Sequence, residues 1–195
     1  MITARYGIPV ASPGAILREE KRNGTKLGDE ADALTSQGKL LPDSVIVGLI
    51  DQWLNGKRGE FVFDGFPRSI GQADHLEATL LQQERPLEAV IALDVEVPVL
   101  RNRVENRLLC RGCGKPLSIG LHVSNATAPC PSCGGTLERR TDDTQETLSA
   151  RLSEYAEKTE SLIGYYDGRG LLHRIDGARP PEVVFGSIAS ILEAP

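Results

Sequence analysis

The chain has 195 residues, 25% charged and 40% hydrophobic, with a formal net charge of −5. That is one domain of ordinary size with apolar residues enough for a core, and its acidic balance speaks against a general nucleic-acid binder. No apolar run nears the ~20 residues of a membrane helix, and residues 1–7 lack the apolar stretch and cleavage site of a secretion signal.

Ile8-Pro9-Val10-Ala11-Ser12 reads as a short strand ending in a turn. Helices are expected over 15–22, stopped by Asn23-Gly24, and over 27–37, with Gly38 beyond. Asp43 is placed to cap a helix whose apolar positions Ile46, Leu49, Ile50, Trp53 and Leu54 recur at helical spacing. Residues 60–64, an apolar run closing on Asp64, read as a buried strand; Ser69 opens a helix to about Leu81. Residues 88–95 read as a second buried strand and 97–109 as a helix. A long helix is expected from about Thr144 to Tyr166, a third buried strand over 171–176 and a last helix over 181–192. Strands separated by helices require crossovers, so the fold class is α/β, a doubly wound parallel sheet flanked by helices.

Residues 110–139 break this alternation and hold all four cysteines, as Cys110-x2-Cys113 and Cys130-x2-Cys133 with sixteen residues between the pairs. Two such knuckles read as a tetrahedral zinc site. Gly112, Gly114, Gly134 and Gly135 let the backbone turn its amides toward the thiolates. Two disulfides are the alternative, suited to an oxidising compartment. Four sulfurs leave no open position for water, so the metal is expected to be structural, holding an insertion too small for its own core.

Arginines number 16 against 6 lysines. Arg presents a planar fork that grips phosphate with two bonds; codon bias also yields such an excess, so the positions carry the argument. Arg68 follows the strand over 60–64 in Asp64-Gly65-Phe66-Pro67-Arg68, with Gln72 one turn later. Ligands of open parallel sheets bind at the carboxyl ends of strands. Gly65 permits close backbone approach and Pro67 stiffens the turn. His75, His122 and His173 suggest no role.

Asp64-Gly65-Phe66-Pro67-Arg68 with Gln72 resembles the signature of adenylate kinases. The resemblance extends over nearly the whole chain, through Tyr6-Gly7-Ile8-Pro9, Gly14 to Arg18, Gly38-Lys39-Leu40-Leu41, Arg103 and Arg107, the four cysteines, Arg140-Thr141-Asp142-Asp143, Arg151, Ile163-Gly164-Tyr165-Tyr166 and Asp176-Gly177. It implies a P-loop NTPase-like core over 1–11, 42–105 and 144–195. It also implies a helical AMP-binding segment over 12–41 and a zinc-ribbon-like lid over 106–143. The implied reaction is phosphoryl transfer from MgATP to AMP, giving two ADP.

By the same resemblance Arg68, Arg107, Arg140 and Arg151 are catalytic. AMP falls to Arg18, Lys39, Leu40, Leu41, Gly65, Phe66, Pro67, Arg68, Gln72, Arg140 and Arg151. ATP falls to Arg103, Arg107, Leu117 and Arg179. Asp64 would hold the magnesium water shell, Cys110, Cys113, Cys130 and Cys133 would hold zinc, and Asp142 with Asp143 would link lid and core. A monomer in the cytoplasm is implied, with no nucleic-acid or membrane partner.

The sequence departs from the family's pattern in three places. No G-x-x-x-x-G-K-[ST] loop occurs in it, and by analogy about eighteen residues, carrying the first strand and that loop, are absent. Backbone groups without that strand would cost ~1–3 kcal/mol each. The expectation is therefore a shortened reading of a longer gene, weakly active or inactive as it stands. A genuine variant without the loop, acting as a nucleotide-binding pseudoenzyme or regulator, is the alternative. Second, Ser12-Pro13-Gly14-Ala15 replaces Ser-Thr-Gly-Asp, which bears on base selectivity. Third, Leu117-Ser118 replaces Tyr-His in the lid. A zinc ribbon for nucleic acid is a further reading, weakened by residues 106–143 being only mildly basic and lacking an aromatic for stacking.

Overall fold

The computed structural model describes residues 1–35, 41–140 and 143–193. Helix α1 (Ile2–Tyr6) leads to strand β1 (Val10–Ala11), and α2 (Pro13–Arg22) and α3 (Lys26–Thr35) form a hairpin. A Cβ on Gly28 would fall 2.3 Å from the Lys21 backbone nitrogen, so only glycine lets α3 approach α2 this closely. The expected stop at Gly38 lies outside the described residues.

Helix α4 (Asp43–Asn55) buries Ile46, Ile50 and Leu54, one face at the expected spacing. Asp43 is not its cap: Pro42 holds that position with no side-chain bond, and Asp43 is the first helical residue. Its carboxylate is instead taken by Ser69 and Gln72. Strand β2 (Val62–Phe63) precedes α5 (Ile70–Gln82), where Ser69 is the expected cap, its hydroxyl accepting from the Gln72 amide; such a cap stabilises by ~1 kcal/mol. Leu17, Ala31, Leu41, Ile46, Ile50, Leu54, Phe66, Leu76 and Leu80 form the main core, binding α2–α5 together.

After β3 (Val90–Asp94), α6 (Val97–Glu105) ends four residues before the expected Leu109, and β4 (Arg107–Cys110) begins. The apolar positions Leu100, Val104 and Leu108 continue a helical pattern. The burial of alternate residues Leu108 and Cys110 is what the lid sheet selects. That sheet is antiparallel, with β4 between β5 (Pro116–Ser118) and β6 (Leu137–Glu138). The long helix expected from 144 is three pieces: α7 (Gln145–Glu154), a π-helical turn over Tyr155–Thr159, and α8 (Ser161–Asp167). Strand β7 (Leu172–Asp176) and α9 (Pro181–Leu192) complete the chain.

The parallel strands form two separate pairs, β1 with β2 and β3 with β7. A cleft of about 680 Å³ lies between β2 and β3, lined by both strands and by Tyr155, Leu162 and Tyr166. This corrects the expectation of three buried strands: Val62, Phe63 and Val90 are half-buried, His173 and Arg174 are exposed, and Leu93 is 52% exposed. An apolar run is buried on both sides only where a neighbouring strand and covering helices complete its surroundings. Here one edge of each pair faces the cleft. Among the described residues no helix is long and apolar enough to cross a membrane.

Candidate active site

The chain leaves β2 through a tightly held turn. Asp64 N donates to Ala11 O at 2.8 Å, extending the strand pairing by one residue. Gly65 then adopts φ 72°, a conformation that favours glycine, and the Phe66–Pro67 peptide is cis. Phe66 turns inward and packs edge-on against Phe63 in the main core. Arg68 is pinned by its backbone: its N–H donates to Gln72 Oε1 at 2.8 Å, and its carbonyl accepts from Thr159 Oγ1 at 2.9 Å. Its Nε donates to Gly65 O at 2.8 Å.

Gln72, only 3% exposed, is held at both ends, because its Nε2 also donates to Asp43 Oδ1 at 2.7 Å. Asp43 Oδ2 accepts from Ser69 Oγ at 2.5 Å. An amide has two donors and two lone pairs, and among the described residues these two bonds leave one of each on Gln72. Asp43 was expected only as a helix cap, and Thr159 carried no expected role. A Ser–x–x–Gln cap signals Ser69 and Gln72, whereas nothing local signals partners 29 and 91 residues away.

A hollow of about 80 Å³ opens here, lined by Pro13, Gly14 and Leu17 of α2, by Leu41 and Ile46, and by Gly65, Arg68 and Gln72. Arg18 folds back at its rim, with Nη1 3.3 Å from the position of a Cβ on Gly14. Arg68 lies close enough to Arg151 for their like charges to matter. Its pKa is pushed below the ordinary guanidinium value, first by protein atoms displacing water and then by Arg151, with Asp64 and Glu154 opposing the shift. Asp64 and Glu154 share this cluster with the two guanidinium groups, and a phosphate there would further offset their repulsion.

The remaining predicted residues sort as follows. Leu41 and Gly65 line the hollow, Asp64 lies exposed at the end of β2, and Pro67 is half-buried in the turn. The Phe66 ring belongs to the main core. Leu117 is 6% exposed, packed with Leu108 and Leu137 in the lid core. Arg103 Nη2 donates to Gly177 O at 2.7 Å, tying α6 to the loop that carries the exposed Arg179. Arg107 grips Asp143 with two bonds, Nε to Oδ2 at 2.8 Å and Nη2 to Oδ1. The Asp143 side chain is 1% exposed, so this ion pair clamps the lid's entrance strand to its exit. Arg140, half-buried at that exit, accepts the Asp143 amide at 3.2 Å through its carbonyl. Lys39, Leu40 and Asp142 lie outside the described residues.

In the lid the two cysteine knuckles are near copies. Cys110 N donates to Lys115 O and Gly114 N to Cys110 O; Cys130 N donates to Gly135 O and Gly134 N to Cys130 O. Cys110 and Cys133 sulfurs stand 3.4 Å apart, Cys113 and Cys130 sulfurs 3.8 Å, and all four lie within 4.8 Å of one another. Tetrahedral thiolates ~2.3 Å from one metal stand about 3.8 Å apart, so the cage fits. A Cβ on Gly135 would sit 3.1 Å from Cys110 Sγ, and one on Gly112 3.2 Å from Cys133 Sγ. Glycine thus leaves the backbone free to close round the sulfurs. The Cys113 amide, with the Cys133 thiol and Gly112 amide, holds the Cys110 thiol down to about 6 against its burial. The first knuckle also stands over α2, with Arg22 Nη1 3.7 Å from a Cβ position on Gly114.

Comparison with known proteins identifies the family. Residues 1–171 match the family model described as adenylate kinase. The adenylate kinase of Thermodesulfovibrio yellowstonii is 38% identical over 194 residues, covering 98% of this chain and 90% of that protein. That of Methanosarcina acetivorans is 41% identical over 189 residues, covering 96% and 87%. That of Geobacter sulfurreducens is 35% identical over 196 residues, covering all of this chain and 90% of its own. Matching over nearly its whole length at such identity, the chain belongs to the adenylate kinase family.

Proposed function

We propose that this protein transfers the terminal phosphoryl group of ATP to AMP, giving two ADP, with residues 12–41 as the acceptor segment, 106–143 as the lid and the rest as the core. The observation that carries the reading is the Arg68–Arg151 pair held beside the buried carboxamide of Gln72 at the carboxyl end of β2. A nucleoside monophosphate suits both halves, with phosphate between the guanidinium groups and base against the free donor and acceptor of Gln72. Leu41, Gly65, Pro67 and the backbone at Phe66, with Lys39 and Leu40, would line that place, and Arg18 would close its rim.

Phosphoryl transfer asks for alignment, charge neutralisation and exclusion of water rather than covalent help. Arg68, Arg140 and Arg151 would share the acceptor phosphate and the transferring group. Arg103, Arg107 and Arg179 would reach ATP as the lid closes. Asp64 would hold the water shell of ATP-bound magnesium. The four cysteines would hold zinc, whose bonds fix the lid's fold and take no part in the chemistry. A cytoplasmic monomer fits this activity.

The test is calorimetric titration of the purified chain with AMP. One site per chain is expected, weakening as salt screens the phosphate contact. Failure of AMP to bind, or equal binding of GMP and CMP, would overturn the base assignment at Gln72. No G-x-x-x-x-G-K-[ST] loop lies within these residues, so a coupled ADP-formation assay should read far below ordinary kinase rates of ~1–100 s⁻¹.

A further inference from the structure

Two side chains of the segment that runs from α7 into the π-helical turn meet the loop that carries Arg68. The hydroxyl of Thr159 donates to Arg68 O at 2.9 Å, across 91 residues of chain. Arg151, on α7, lies near enough to Arg68 for the two guanidinium charges to act on each other. These two positions do not share a face in a continuous α-helix. At about 3.6 residues per turn, positions seven apart align and positions eight apart diverge by about 80°. The π-helical turn over Tyr155–Thr159 removes that divergence. Tyr155 N still bonds in the α pattern, to Arg151 O, whereas Glu160 N reaches five residues back, to Tyr155 O at 2.9 Å. A turn closed in this way holds about one residue more than an α turn. One turn of each kind then spans about eight residues, which is the separation of Arg151 and Thr159. The interruption sacrifices the regular α bonding, and such turns recur at functional sites.

We propose that Thr159 is a positioning residue for the acceptor phosphate: the π-helical turn sets its hydroxyl on the face of Arg151, and its bond to Arg68 O fixes the spacing of the two guanidinium groups that bind that phosphate. This rests on the reading of Arg68 and Arg151 as the acceptor-phosphate pair, and adds to it the residue that holds one to the other. Thr159 anchors the backbone of Arg68, and Gly65 O anchors its Nε. Both ends of the side chain are thus fixed before a ligand arrives, and preorganisation of this kind raises affinity by sparing the ligand the ordering of a flexible group. The base half of the site has a separate anchor, since Gln72 Nε2 donates to Asp43. Loss of the Thr159 hydroxyl should therefore act on phosphate and not on base.

The test is calorimetric titration of the full 195-residue chain and its variants with AMP, ribose 5-phosphate and adenosine. Thr159→Val keeps the shape of the side chain and removes the hydroxyl. It should weaken AMP and ribose 5-phosphate roughly twofold to tenfold, the worth of one hydrogen bond, and leave adenosine as in the parent. Thr159→Ser keeps the hydroxyl and should match the parent with all three ligands. Glu160→Thr added to Thr159→Val moves the hydroxyl one position and about 100° round the helix, and should not restore binding. Should Thr159→Val fail to fold, Thr159→Ala gives the same comparison. Three results would overturn the proposal and leave the phosphate reading standing. These are unchanged AMP affinity in Thr159→Val, equal weakening of adenosine (a general loosening of the hollow), and a Thr159→Ser variant as weak as Thr159→Val. A parent chain that binds neither AMP nor ribose 5-phosphate would overturn the phosphate reading itself, and the role of Thr159 with it.

Discussion

The lid and the core sheet solve the same problem, satisfying the backbone of short strands, by different means. In the lid β4 has a partner on each edge, the knuckles bond to themselves, and four sulfurs converge within 4.8 Å. Its core of Leu108, Cys110, Leu117, Cys130 and Leu137 is small but fully buried. Among the described residues β2 and β3 of the core each have a strand partner on one edge, and the phenol of Tyr166 and one oxygen of Glu77 are buried without a hydrogen bond. The lid closes its bonds within about thirty residues, with the expected metal as its centre. The core depends on strands that meet across the whole chain, so the burial of each follows from the neighbours beside it.

The largest effect expected to break this contrast is loss of the metal. A Cys130→Ser substitution, or removal of the ion by a strong chelator, should remove about 10 kcal/mol of metal-linked folding free energy. Amides of β4–β6 should then lose exchange protection while those of α5 keep theirs; one zinc per native chain should be found by elemental analysis. Simultaneous melting of α5 would show that the lid is not an independent unit. Arg68→Ala comes next. Loss of a charged hydrogen-bonding group is worth about 1.5–3 kcal/mol, so AMP should bind roughly tenfold to a hundredfold more weakly. The unliganded protein should melt within about 1 kcal/mol of the parent, since relief of the repulsion with Arg151 offsets loss of the Nε bond to Gly65 O. An unchanged AMP affinity would remove Arg68 from the site. Asp43→Ala should cost about 1 kcal/mol and affect base discrimination more than phosphate binding, because Asp43 holds Gln72 and not the arginines. Titrations with AMP and with ribose 5-phosphate separate the two.

These regions were unequally legible in the sequence. The four-cysteine cluster is written in local spacing, and its sulfurs lie together as the two knuckles predict. Ser69 as a cap and Gln72 beneath it follow from a four-residue pattern. Arg107 and Asp143 were both singled out, but their pairing joins residues 36 apart and emerged only in the fold. Leu117 was assigned by position in a resemblance, and its side chain packs from β5 into the lid core. The strands around 62 and 91 read correctly as strands. Their burial was misjudged because an apolar run records what a segment would bury, not whether a neighbour is there to bury it against. The π-helical turn over Tyr155–Thr159 left no signal in periodicity.

The smallest effect probes the core side of the contrast at one atom. Tyr166 is 1% exposed and its hydroxyl is buried without a partner. Burial first, and the Glu77 carboxylate second, push its pKa up to about 12 from an ordinary value near 10. The folded state then binds this proton more tightly than the unfolded state does. Its contribution is complete below pH 10 and is lost as pH rises from 10 toward 12. Tyr166→Phe removes the unsatisfied hydroxyl while keeping the ring against Ala73 and Leu162. At neutral pH the variant should be more stable by about 1 kcal/mol, the cost of one unmet buried polar group. Its denaturant midpoint should also fall less steeply than the parent's between pH 10 and 12. Paired urea melts at pH 8 and pH 11 read both effects. A variant less stable at pH 8 would mean that the hydroxyl has a partner after all, and would narrow the difference between core and lid.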